Sequence, residues 1–156
     1  MIEAMAAEGL KLEVKRVIRA DRSRVFSAWT NPEILKKWFG PATMITSAAS
    51  ADPRAGGSYR IEMQRIEQRT AEMQCSDKST ATGVYEQIIP NELLSFTWHG
   101  NWVVDEETLV TVRFKDVAGG TEVTLTHEHF STADLRDRHE QGWTGSLEKL
   151  TAYLEG

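Results

Sequence analysis

Residues 139–154 read HEQGWTGSLEKLTAYL, and this stretch near the end of the chain decides the fold. Its apolar and small residues recur every three or four positions, which is the spacing of an α-helix that buries one face. The residues of that face are His139, Trp143, Ser146, Leu147, Leu150 and Leu154. The sequence therefore predicts a long amphipathic helix, which needs an apolar surface to pack against.

Strand-like alternation of apolar and polar residues fills most of the chain before this helix. The predicted strands lie at residues 10–18, 59–64, 80–89, 94–98, 108–114 and 123–129, with a weaker edge strand at 42–51. Turn signals separate the strands, and the strongest is the Gly119-Gly120 pair, which is typical of a tight hairpin. Consecutive strands joined by short turns predict an antiparallel sheet.

Two short helices are predicted between the first strand and the rest of the sheet. Asp21 or Ser23 offers an N-cap before the first of them. Asn31-Pro32 ends this helix and begins the second, because asparagine suits an N-cap and proline suits the first helical position. Gly40-Pro41 then ends the second helix.

The order of these elements predicts an α+β fold of the helix-grip type. In this architecture a curved antiparallel sheet of about six or seven strands wraps around the C-terminal helix. A single helix does not fill so curved a sheet, so we expect an apolar cavity at the open end, under the two short helices. Residues 10–156 are expected to form this single domain, and residues 1–9 a flexible tail.

Composition and charge narrow the classes of partner. The chain has 156 residues and a formal net charge of −5, with no long run of lysine and arginine, which argues against nucleic acid and anionic membranes. The single cysteine, Cys75, cannot form an internal disulfide, and the first residues lack the pattern of a signal peptide. No apolar stretch approaches the length of a membrane span. A cytoplasmic location is therefore expected.

A set of short motifs, in order along the chain, resembles one known family. The motifs are ADRSRVF at 20–26, WTNPE at 29–33, LKKWF at 35–39, GGSYR at 56–60, GVYE at 83–86, IPNEL at 89–93, FTW at 96–98, GTEVTLTH at 120–127 and HEQGW at 139–143. In this order and spacing they resemble the family related to the C-terminal domain of the activator of Hsp90 ATPase, within the START-like (SRPBCC) superfamily. The resemblance extends from Leu10 to Leu154.

The resemblance implies the helix-grip fold and leaves the function open. The superfamily includes lipid carriers, hormone receptors and polyketide cyclases, and a shared fold does not fix the activity. The eukaryotic co-chaperone resembles this chain only in its C-terminal half. Activation of Hsp90 therefore ranks behind ligand binding among the expectations.

Large apolar side chains on the inner faces are the candidates for a cavity wall. These candidates are Trp38, Phe39, Tyr59, Ile61, Phe96, Trp98 and Trp143. The alternative for each is core packing, because large aromatic residues dominate the core of any domain. Trp38, Phe39 and Trp98 are the stronger candidates, since they lie near the short helices or on the concave face.

Three histidines are further cavity candidates. His127 and His129 are predicted on one face of the last strand, because side chains two residues apart in a strand point the same way. His139 begins the helix that packs on that face. Such a set could bind a divalent metal or transfer a proton. Hydrogen bonding in the core and exposure to solvent are the simpler interpretations, so no metal and no cofactor is predicted.

The leading hypothesis is a domain that binds a hydrophobic small molecule between the sheet and the C-terminal helix. The first alternative is a protein-interaction module of the Hsp90-ATPase-activator type, with a chaperone or another protein as partner. The second is a small-molecule enzyme of the cyclase or hydrolase type that uses the cavity histidines, and no catalytic residue is assigned. A monomer or a homodimer is expected, the latter through an edge strand near Ile45.

Overall fold

The computed structural model describes residues 10–40, 44–65, 78–101 and 107–156. Within these residues it confirms the helix-grip fold, in which a curled antiparallel sheet of seven strands holds one long helix. The predicted tail at residues 1–9 and the cysteine Cys75 lie outside the described residues. None of the described helices combines the length and the apolar character needed to cross a membrane.

Within the described residues, seven strands and three helices follow one another in sequence. The strands are β1 Lys11–Ile18, β2 Met44–Ala51, β3 Ser58–Arg65, β4 Lys78–Ile89, β5 Leu93–Gly100, β6 Thr108–Val117 and β7 Gly120–Glu128. The helices are α1 Arg22–Thr30, α2 Pro32–Trp38 and α3 Ala133–Glu155. The strands are arranged in the order β1-β7-β6-β5-β4-β3-β2, so the weak pattern at 42–51 is confirmed as an edge strand.

The inner face of the sheet follows from alternation along each strand. On β3, Tyr59, Ile61 and Met63 are buried against the core, whereas Arg60 points outward and is exposed. Strands twist by nature, and register shifts in β2 and β4 bend the sheet further. The result is a concave apolar surface that faces α3.

Asn31 joins the two short helices that follow β1. Its backbone N–H donates to the carbonyl oxygen of Ser27 and so ends α1, while its side-chain oxygen accepts from the N–H of Glu33 at 2.9 Å and begins α2. Pro32 occupies the first turn of α2, as the sequence predicts. A hydrogen bond joins the two helices, in which the indole N–H of Trp38 donates to the carbonyl oxygen of Ala28 at 3.0 Å.

The long helix α3 is held along its length by the rest of the domain. Thr132 caps its start, with the side-chain oxygen accepting from the N–H of Leu135 at 3.1 Å. Its buried stripe contains the predicted residues Trp143, Ser146, Leu147, Leu150 and Leu154. Lys149 donates to the carbonyl oxygen of Met44 at 2.7 Å, which ties the helix to the edge strand β2.

Candidate functional site

An open cavity of about 610 Å³ lies between the inner face of the sheet and α3. From α3, the wall includes Leu135, Arg138, His139, Gly142, Trp143 and Ser146. From the sheet and the end of α2, it includes Phe39, Met44, Met63, Arg65, Ser79 and Trp98. Apolar and aromatic side chains thus share the cavity wall with polar groups, which belong to Arg65, Ser79, Arg138, His139, Gln141 and Ser146.

Three aromatic rings form the inner part of the wall. Phe39 follows the last residue of α2, where the chain leaves the helix in an extended conformation and turns the ring inward. Its ring contacts that of Trp143 edge to face, with 5.6 Å between the ring centroids. The ring centroids of Trp98 and Trp143 are 5.2 Å apart. Each aromatic pair of this kind adds to the stabilisation that burial provides. The rings thus form a rigid surface against which a flat apolar molecule could pack.

His127 lies behind this wall and is fully buried. Its Nδ1 atom accepts the indole N–H of Trp143 at 2.9 Å, so the neutral ring must carry its proton on Nε2. That Nε2–H donates to the Thr108 hydroxyl at 2.6 Å, and Thr108 in turn donates to the carbonyl oxygen of Trp98. Burial lowers the pKa of His127 well below its usual range, and the neighbouring His139 and His129 lower it further.

His139 lines the cavity itself and is partly exposed. Its Nδ1 atom lies 3.0 Å from the carbonyl oxygen of Leu135, which can only accept, so Nδ1 carries the proton. Its Nε2 atom then accepts the indole N–H of Trp98 at 3.2 Å. Trp98 and Trp143 are therefore each fixed in orientation by a histidine, and this pairing holds the aromatic wall in place.

The structure divides nine of the ten predicted site residues into three groups. The cavity wall contains Phe39, Trp98, His139 and Trp143. The core contains Trp38, Tyr59, Ile61 and Phe96, all of them buried. Three of these, Tyr59, Ile61 and Phe96, surround a space of only about 10 Å³, which is too small for an organic ligand. His127 forms a second layer behind the wall.

His129 corrects the prediction that places it beside His127. Strand β7 ends at Glu128, and His129 adopts a positive φ of 78°, so the alternation of the strand stops there. The side chain is exposed instead of facing the concave surface. Across the described residues, no group of three or more histidine, cysteine, aspartate or glutamate side chains is arranged to hold a metal ion.

Several wall residues were not singled out by the sequence. Met44, Met63 and Leu135 resemble ordinary core residues, and Ser79 follows a polar segment with no strand signal. Arg65 did carry a signal, because it continues the inward alternation of Tyr59, Ile61 and Met63 along β3. Phe130, two residues after the end of β7, is also not singled out by the sequence. Its ring centroid lies 4.3 Å from that of His127 and 5.1 Å from that of His139.

Comparison with known proteins identifies relatives of this fold. The family model described as activator of Hsp90 ATPase homolog 1-like protein matches residues 19–155. The protein CV1439 from Chromobacterium violaceum is 22% identical, with 95% of this chain and 99% of that chain covered and a TM-score of 0.80. An AHSA1 protein from Silicibacter pomeroyi is 24% identical, with 93% and 97% covered and a TM-score of 0.77.

A third solved structure comes from a biosynthetic locus. DynU16, a protein of the dynemicin biosynthetic locus, is 21% identical, with 93% of this chain and 47% of that chain covered and a TM-score of 0.72. No curated protein matches the chain. At these identities the three structures establish the shared fold alone.

Proposed function

The chain belongs to the activator of Hsp90 ATPase homolog 1-like family, and from that premise we propose that it binds a small apolar molecule in the cavity between the sheet and α3. Membership of this family and the shared fold support a ligand-binding or interaction domain in general. The observation that carries the proposal is the cavity itself, whose volume of about 610 Å³ falls within the usual range for small-molecule sites.

The composition of the wall supports a ligand with a flat apolar body. Trp98, Trp143 and Phe39 offer aromatic surface, and two of these rings are held by histidines. A wall that is ordered before binding loses little conformational entropy when a ligand arrives, which favours affinity. Met44 and Met63 complete the apolar lining with flexible side chains that adapt to the shape of a ligand.

The hydrogen bonding of the histidines favours binding over proton transfer. A general base needs a ring nitrogen within reach of the substrate. Both nitrogens of His127 are engaged, by Trp143 and by Thr108, and both nitrogens of His139 are engaged, by Leu135 and by Trp98. These interactions give the two rings a positioning role in the wall.

A cavity-filling substitution tests the proposal. Gly142 lies in α3 and lines the cavity, so Gly142→Leu places four carbon atoms where the ligand would sit. Leucine also suits a helix better than glycine by roughly 1 kcal/mol, so the variant should remain folded. We expect titration calorimetry with the neutral probe 2-naphthaleneethanol to give saturable binding to the wild type and a Kd raised by about tenfold or more in Gly142→Leu.

The matched control is Ala152→Leu, at an exposed position of the same helix. This substitution adds the same side chain to α3 away from the cavity, so the variant should bind 2-naphthaleneethanol with the Kd of the wild type. Equal affinity of wild type and Gly142→Leu would show that the probe binds elsewhere, and absence of heat with every variant would remove the apolar-ligand proposal for this probe class.

A further inference from the structure

We infer that the ligand of this cavity carries an anionic oxygen group, such as a carboxylate, which Arg65 and Arg138 bind at the open end. This inference rests on the proposed function, since it describes the ligand of the same cavity. Its basis is the charge and placement of these two arginines among otherwise apolar and neutral polar lining residues.

Arg65 is placed at the cavity by the alternation of β3. Tyr59, Ile61 and Met63 occupy the inner face and are buried, and Arg65 is the next residue on that face. It is only partly buried and pairs with Met44 of the edge strand β2. The inner face of β3 thus changes from apolar to cationic where the cavity begins to meet solvent.

Arg138 approaches the same cavity from the helix side. It precedes His139 on α3 and lies one turn before Gly142, both of which also line the cavity. Its Nε atom lies 3.1 Å from a carboxylate oxygen of Asp134, and the side chains of Arg138 and Asp134 are 75% and 78% exposed. Exposed pairs of this kind contribute little to stability, so a ligand carboxylate could replace Asp134 at little cost.

The charges around the cavity favour an anion. No aspartate or glutamate is found among the described residues that line it, although the chain as a whole has a net charge of −5. Arg65 is partly buried beside the aromatic wall, where a lower local dielectric constant strengthens the attraction between its guanidinium and an anion. A guanidinium has several N–H donors, so an arginine that already has one partner can still bind a carboxylate.

These features together describe an amphipathic ligand. Its apolar body would pack against Trp98, Trp143 and Phe39, and its carboxylate would lie between β3 and α3 near the solvent. Because a hydrogen bond to a charged group contributes more than a neutral one, the anion should bind about tenfold more tightly than an alcohol of the same shape.

The experiment compares 2-naphthaleneacetate with 2-naphthaleneethanol by titration calorimetry on the full chain. We expect the wild type to prefer the acid by about tenfold, and we expect this preference to shrink as salt is added. Arg65→Met and Arg138→Met should each weaken binding of the acid more than binding of the alcohol, and so reduce the preference. Saturable binding of the alcohol to each variant verifies that it is folded.

Arg60→Met is the matched control, because Arg60 lies on the same strand as Arg65 but points away from the cavity and pairs with Glu62 at 3.0 Å. It should keep the full preference for the acid. Equal binding of acid and alcohol, or a preference that survives both Arg65→Met and Arg138→Met, would overturn the anion inference and leave the apolar-ligand proposal standing. Failure of both probes to bind would overturn that proposal and this inference together.

Discussion

At the scale of single residues, His127 shows both the reach and the limit of sequence reasoning. Its inward orientation could be predicted, because it continues the alternation of Val123 and Leu125 along the last strand. Its partners could not be predicted, since Trp143 and Thr108 come together only through the packing of α3 on β6 and β7. His129 was placed wrongly because the backbone leaves the strand one residue earlier.

The buried histidine should make stability depend on pH. The folded state keeps His127 neutral because burial lowers its pKa well below 6.5, whereas the unfolded chain takes up a proton as pH falls through about 6.5. The stabilisation is therefore present above this pH and is lost below it. Relative to His127→Gln, the free energy of unfolding of the wild type should fall by up to about 1.4 kcal/mol per pH unit below pH ~6.5.

Urea unfolding between pH 7.5 and pH 5, read by circular dichroism, measures this difference. A difference between wild type and His127→Gln that stays constant with pH would contradict the account of His127 as a neutral, buried hydrogen-bonding group.

At the scale of elements, the helix boundaries follow from local chemistry. Asn31 and Pro32 were recognisable from the sequence because capping and the first-turn preference of proline act within a few residues. The sequence predicts the bounds of β2 less well, since an edge strand has only one neighbouring strand and its sequence is less constrained. The pairing of Met44 with Arg65 depends on packing between residues that are far apart in the sequence. Local signals therefore predicted the helices better than the edge of the sheet.

The N-cap residues of the two short helices, Asp21 and Asn31, differ in whether the side chain caps the helix. The side chain of Asn31 accepts from the N–H of Glu33, whereas Asp21 makes no side-chain cap to α1. Asn31→Ala should therefore lower the free energy of unfolding by about 1 kcal/mol, and Asp21→Ala should change it much less. Chemical denaturation of both variants measures the difference, and an equal loss at the two positions would contradict the assigned caps.

At the scale of the whole molecule, the fold was predictable and the cavity was not fully so. The order of elements and the long amphipathic helix predict a sheet curled around α3, and an empty space at its end follows from the curvature. The residues that border this space depend on how far the sheet curls and where α3 lies. This is why Tyr59, Ile61 and Phe96 pack in the core while Arg65 and Arg138 reach the cavity.

The most direct test of ligand binding in this cavity is a nuclear magnetic resonance titration of the tryptophan indole N–H signals with 2-naphthaleneethanol. Trp98 and Trp143 line the cavity, whereas Trp38 is buried and donates to Ala28 between the two short helices. We expect saturable shifts that are largest for Trp98 and Trp143, with signals assigned by Trp→Phe variants. Saturable shifts that are largest for Trp38, or the absence of any shift, would contradict it.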